Sequence, residues 1–279
     1  MSHTRLTRSL AFCFLALGSL AGGARADLEQ FVVPVVRDPE RAPTVDGTIA
    51  PGEWDHAVAL TGLVHLMTGD LSRRQATVHF VADETHLYAG VVSPNHPPGE
   101  RPEAHRFEHD AIGEMMKDDR QEFMIVPPKR EERGSYYLIS NPPGCLYDSA
   151  MHPRTGREIK HWNGVWRVET SVDDENWYLE LRVARSELAV PERELEGEWA
   201  LNFSRAWLRA QKDYAGLVRQ PHGSAAAQFV VDAPAVRIER IGDPARGLLD
   251  LEVSARGAPV EDGGGNRAAP ELSVRCEGR

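Results

Sequence analysis

The sequence predicts an all-β protein: a jelly-roll-like antiparallel β-sandwich with a long rim insertion and an incomplete C-terminal β appendage. Two observations carry that expectation. Several segments alternate apolar and polar residues with a period of two, and polar turns separate them at short intervals with little helical periodicity between. In residues 76–82, Ala76, Val78, Phe80 and Ala82 share one face, with Thr77 and His79 on the other. Asp83-Glu84-Thr85 supplies a turn, and Leu87, Ala89 and Val91 begin the return strand of a hairpin. Trp177, Leu179, Leu181 and Val183 likewise oppose Tyr178, Glu180 and Arg182, and the acidic turn Asp173-Asp174-Glu175 joins them to a strand carrying Trp166, Val168 and Thr170. Further strands are expected over residues 121–126, 135–141, 198–207 and 227–232, and beyond them over 236–241 and 248–253.

The first 26 residues read as an export signal. Arg5 and Arg8 precede an apolar run from Leu10 to Leu20, and Ala24-Arg25-Ala26 offers small residues for cleavage. The run is shorter than the ~20 apolar residues a membrane helix needs. Cys13 lies inside it rather than at the cleavage region, so a secreted or periplasmic protein without a lipid anchor is expected. Loss of the leader removes three arginines and no acids, taking the formal charge from −10 to −13. A surface of that sign repels phosphate backbones, and no basic stripe interleaved with aromatics argues otherwise. Cys145 and Cys276 remain, too far apart in sequence for spacing to specify a disulfide.

The expected sandwich covers residues 34–232. Within it, residues 93–117 break the strand rhythm, opening on Pro97-Pro98-Gly99 and closing in a helix expected over 103–117. Long insertions of this kind decorate sandwich rims, where binding sites are commonly built. Residues 233–279 hold too little chain for a second core and read as a truncated or partly disordered β segment, with a polar tail after Gly263-Gly264-Gly265.

A set of collinear motifs carries a resemblance. Pro43-Thr44-Val45-Asp46-Gly47-Thr48-Ile49 precedes Glu53-Trp54. Next come His86-Leu87-Tyr88-Ala89-Gly90-Val91, then Asp119-Arg120-Gln121-Glu122-Phe123, then the strand over 135–141 with Gly144. Trp177-Tyr178-Leu179-Glu180 and Trp199-Ala200-Leu201-Asn202-Phe203 complete the series. Together, over residues 42–232, they resemble the family 9 carbohydrate-binding modules and the wider superfamily of DOMON-like sandwiches. The resemblance implies a sandwich that binds sugar between aromatic side chains at one end, often with structural calcium. An indole covers the apolar face of a sugar while carboxylates and amides satisfy its hydroxyls.

By that analogy Glu122 is the sugar-hydroxyl acceptor, set among Met124 and Val126 on a face opposite Phe123 and Ile125. A salt bridge to Arg205 or another base is the competing reading. Asn202 and Arg205 on the late strand join it as ligand-binding candidates. So do Trp162, in a polar stretch, and Trp207, at a strand end, whereas Trp54, Trp166, Trp177 and Trp199 read as core. The family's two clamping aromatics are replaced by Met116 and by His222-Gly223, and an arginine of the following strand by Leu138. Asp118 and Asp119, with the acidic turn at 173–176, are the calcium candidates. A partner hydrolase is the expected protein partner.

Other chemistries compete for the same residues. His105-Arg106-Phe107-Glu108-His109 matches a helical zinc motif but has no third ligand at a recognisable spacing. A haem b-binding DOMON-like redox domain would use Met115 or Met116 and a histidine as axial ligands. A glycosidase needs two facing carboxylates, for which Glu122 and Glu180 are nominal candidates. A structural domain of a larger surface protein is the remaining alternative. The expectation is a binding protein and not an enzyme.

Overall fold

The computed structural model describes residues 30–95, 98–105, 108–191, 194, 197–208, 212–219, 235–239, 249–256 and 271–278. In chain order the first half of the chain forms β1 (Gln30–Pro34), β2 (Val58–Leu60), β3 (Val64–His65), β4 (Thr77–Ala82), β5 (His86–Pro94), the single turn α1 (Ile112–Met115) and β6 (Arg120–Val126). There follow α2 (Arg130–Arg133), β7 (Ser135–Ser140), β8 (Leu146–Met151), β9 (Glu158–Ile159), β10 (Trp166–Val172), β11 (Asn176–Ala184), β12 (Gly197–Trp207), β13 (Asp213–Gly216), β14 (Ala235–Glu239), β15 (Leu249–Arg256) and β16 (Glu271–Gly278).

Two sheets make the sandwich. The larger runs β1-β14-β12-β6-β7-β8-β9, with β13 on the far half of the β12 edge and β3 beyond it; the smaller runs β10-β11-β5-β4-β2. The expected hairpins are in place: β4 pairs antiparallel with β5 and β10 with β11. One pair departs from the antiparallel pattern, since β1 lies parallel to β14. The sheet therefore takes in strands on both sides of the expected 34–232 boundaries, and β14 shields part of the β12 edge that would otherwise be open to another chain. The strand expected over 227–232 lies outside the described residues. The expected polar tail after Gly265 contains β16, which pairs with β15 in a separate hairpin.

Alternation sorts the faces as the sequence implies. Ala76, Val78, Phe80, Ala82, Leu87, Ala89, Val91, Leu179, Leu181 and Val183 meet Phe123, Ile125, Leu138, Leu201 and Phe203 in one continuous core between the sheets. Leu138 is thus a core residue. The β7 residue directly opposite Glu122 on the outer face is Ile139, because a shift of one position along a strand exchanges the faces.

The expected helix over 103–117 is not formed. Among the described residues of that stretch only α1 and its cap are helical, and Glu103 and His105 are irregular backbone. Two buried aspartates explain this locally. Asp119 accepts the backbone N–H of Glu103, and Asp118 accepts that of His105, at 2.7 Å each. Such bonds hold the chain extended against the sheet rather than coiled.

The opening motif closes the outer face of the small sheet. Glu180, fully buried, accepts N–H bonds from Asp46 (3.0 Å), Gly47 (2.9 Å) and the Trp54 indole (2.9 Å). Gly47 has φ +86°, and a Cβ there would sit 3.1 Å from the Thr170 backbone. The Trp54 ring lies on Gly90, where a Cβ would come within 2.7 Å of it. Two of the collinear motifs are therefore the two halves of one clamp.

Candidate functional site

The outer face of the large sheet offers a different arrangement. Register places Ser204, Glu122, Ile139 and Tyr147 in one row across β12, β6, β7 and β8, and Asn202, Met124, Tyr137 and Ser149 in the next. Glu122 sits in this surface with its side chain 13% exposed. Arg120, two residues earlier and so on the same face, donates from Nε to Oε1 at 2.6 Å. The Tyr137 hydroxyl donates to Oε2 at 2.5 Å, and the Ser204 hydroxyl lies 3.5 Å from the same oxygen. Burial, and then the neighbouring Glu122 charge, hold the Tyr137 phenol well above its ordinary pKa, so it stays a donor.

Asn202 is buried on this face. Its Oδ1 accepts the Phe203 N–H at 2.8 Å, but its Nδ2 has no partner. Unpaired buried donors are costly and rare. Asn202 Nδ2 lies just beneath the surface beside an oriented carboxylate, so a polyhydroxylated ligand would reach it only as a covering side chain shifts. Met116 borders the face: its carbonyl accepts from Arg120 Nη1 at 3.1 Å, and its side chain is exposed. A flexible thioether thus stands where the resemblance leads one to expect an aromatic plate.

Arg205 and Trp207 lie on the other side of the same strand. Sharing parity with Leu201 and Phe203, Arg205 is buried between the sheets, donating to Ser93 Oγ and to the carbonyls of Arg74 and Gln75. The fully buried Trp207 ring stacks against the Arg74 and Arg205 guanidiniums at 5.4 and 5.8 Å. Trp162 closes another part of the core, packed on Tyr136 at 4.8 Å and on Trp166 at 6.1 Å. Of the ligand-binding candidates, then, only Glu122, Asn202 and Met116 share a surface. Arg120, Tyr137 and Ser204 belong with them and were not expected. The Arg120–Glu122 spacing of two was visible in the sequence; the cross-strand neighbours depend on register.

The calcium candidates Asp118 and Asp119 are buried and engaged in hydrogen bonds. Asp118 accepts from the His105 backbone and from Asn141 Nδ2, with His105 Nδ1 3.1 Å away, and Asp119 accepts the N–H groups of Glu103 and Leu208. Among the described residues no group of three His, Cys, Asp or Glu side chains could hold a metal. His105 and His109 are not on a helix; His109 Nδ1 accepts the Leu146 N–H. Met115 is fully buried with Ile139, Tyr147 and Cys145. Glu122 and Glu180 point away from the core on opposite sheets, so they cannot flank one glycosidic bond.

No family model and no curated protein matches the sequence. Solved structures do match. A family 9 carbohydrate-binding module of Caldicellulosiruptor kristjanssonii in complex with cellotriose superposes with a TM-score of 0.53 at 11% identity, covering 78% of this chain and 97% of the module. The glucose complex of a family 9 module from that organism gives 0.54 at 12%, with 77% and 98% covered. A candidate carbohydrate-binding protein of Bacteroides uniformis gives 0.59 at 12%, with 76% and 99% covered. The chain has the β-sandwich fold of the family 9 carbohydrate-binding modules.

Proposed function

We propose that this is an exported, non-catalytic carbohydrate-binding module whose ligand site is the outer face of the large sheet around Glu122. The carrying observation is the pairing of a carboxylate oriented by Arg120 and Tyr137 with the unpartnered Nδ2 of buried Asn202 in the adjacent row. A carboxylate accepts from sugar hydroxyls and an amide donates to them, so together they read both halves of a hydroxyl's hydrogen-bonding capacity. Met116 supplies adaptable apolar contact. The neighbours bound to cellotriose and glucose share this sandwich. The leader-like N-terminus supports export, and a module of this kind would raise the local concentration of a partner hydrolase at a polymer.

A glycan array followed by calorimetry on the best ligand tests the reading. Binding should fall at least about tenfold in Glu122→Gln and in Asn202→Ala, with the fold retained. Loss of hydrolytic turnover in Glu122→Gln would instead establish an enzyme. Binding untouched by both substitutions would move the site elsewhere.

A further inference from the structure

A second feature occupies the same outer face, further along β7. A groove of about 510 Å³ runs between α2 and the loop that joins β8 to β9, lined by Arg130, Glu131, Ser135, His152 and Arg154 among others. That size falls within the roughly 300–1,000 Å³ of small-molecule sites. Ser135 and Met151, paired across β7 and β8, lie at its base. Ser135 is four residues from Ile139, the partner of Glu122, which sets it about 13 Å along β7 from the Glu122 row at strand spacing.

Both walls are fixed by internal bonds. Gly134 (φ +77°) brings the chain so close to β8 that a Cβ would overlap the Met151 carbonyl. Opposite, His152 N–H bonds the Arg157 carbonyl, and His152 Nδ1 accepts the N–H groups of Arg154 (3.2 Å) and Thr155 (3.3 Å). Acceptance at Nδ1 leaves Nε2 as the ring's donor. The charges are distributed unevenly. Lys129 and Arg133, flanking Arg130 in the same turn, both pair with Glu194. Among the described residues neither Arg130 nor Arg154 has a carboxylate within ion-pairing distance. In a chain of formal charge −10, two unneutralised arginines facing one groove with a single glutamate make a local reversal of sign.

We infer that this groove is a subsite for the carboxylate of an acidic saccharide, a uronic acid residue, with Arg130 and Arg154 taking the anion and Glu131, Ser135 and His152 available to ring hydroxyls. Planar guanidiniums suit a carboxylate because they offer paired donors in its plane. The inference rests on the glycan-binding reading above and narrows its ligand class.

The test compares trigalacturonate with its methyl ester, which keeps the rings and removes the charge, by calorimetry on the whole chain. The free acid should bind at least about tenfold tighter, and added salt should erode the difference. Arg130→Ala/Arg154→Ala should abolish the preference while leaving neutral-glycan binding at Glu122 unchanged, and Arg130→Lys/Arg154→Lys should restore part of it. The substituted side chains are solvent-exposed, and a thermal melt confirms the fold. No preference for the acid, or a preference that survives the double alanine variant, overturns the inference. So does inorganic sulfate binding the groove as tightly as the saccharide, which would make it an anion site only. Neutral binding lost in wild type with the acid preference intact would sink the Glu122 reading and leave the groove standing.

Discussion

Glu180 and Glu122 occupy equivalent kinds of position, each on the outer face of its own sheet, yet their surroundings lead to opposite uses. Glu180 is sealed: two backbone N–H groups and an indole N–H take its oxygens, and Trp54 covers it by lying on Gly90. Burial pushes its carboxyl above the ordinary value, and the three donors only partly offset this. Glu122 is oriented without being sealed, held by Arg120 and Tyr137 and bordered by an unpartnered amide. A carboxylate with its donors supplied from within the chain fixes the fold. One that keeps solvent access and unsatisfied neighbours can still take a ligand.

The contrast is sharpest in what each substitution should cost. Glu180→Ala strips three buried donors of their acceptor and is expected to destabilise the protein by about 3 kcal/mol or more, read by chemical denaturation. An effect under about 1 kcal/mol would mean the clamp is dispensable. Gly90→Ala pushes a methyl into the Trp54 ring and should cost roughly 1–3 kcal/mol. Trp54→Ala in the same background should relieve that strain, so a double-mutant cycle gives a non-additive pair. Glu122→Gln keeps one acceptor oxygen but takes the counter-charge from Arg120, so it should cost about 1–2 kcal/mol, less than Glu180→Ala, while glycan affinity falls. A large loss of stability would place Glu122 with Glu180 and erase the comparison.

The smallest expected effect concerns pH. Asp83 accepts from the Thr85 and His86 N–H groups and from the Tyr88 hydroxyl. Desolvation opposes its charge, but the hydrogen bonds from Tyr88, Thr85 and His86 outweigh it and hold the carboxyl below 3.8. Its stabilisation is therefore complete above that unfolded value and lost as pH falls through the folded one. Glu180 runs the other way. Its pKa is raised from 4.5, so its titration favours the folded state at acid pH and that contribution fades as pH rises through the folded value. The stability gap between wild type and Asp83→Asn should narrow as pH drops below about 4, measured by denaturation across acid buffers. A gap constant with pH would show that Asp83 is not held ionised by its turn.

Much of this was legible in the sequence. Strict alternation around Ala76–Ala82 and Trp177–Val183 identified both hairpins of the small sheet, and the same alternation placed Glu122 opposite Phe123 and Ile125. The helix over 103–117 was misread because its polar, proline-poor composition favours coiling locally. The carboxylates of Asp118 and Asp119, buried by the sheet, hold Glu103 and His105 beside them, whereas a helix over that stretch would set its two ends about 20 Å apart. Trp207 and Arg205 were misplaced for a related reason: a strand end is the usual edge of a sheet, yet here β13 and the small sheet cover it.

The sequence by itself determined β4 to β7 and β10 to β12 and their faces, because period-two patterning is a local property of the chain, while short strands such as β2, β3, β9 and β13 carry too few residues to show it. Only the tertiary structure decided which polar groups meet. Ser204 comes from a strand far along the chain from those of Glu122 and Tyr137, and the meeting of all three depends on the pairing order and register of β12, β6 and β7. The Arg130–Arg154 groove likewise joins a turn to a loop across β7 and β8. Register is set by the burial of the whole core face, a sum over many residues that no short segment encodes.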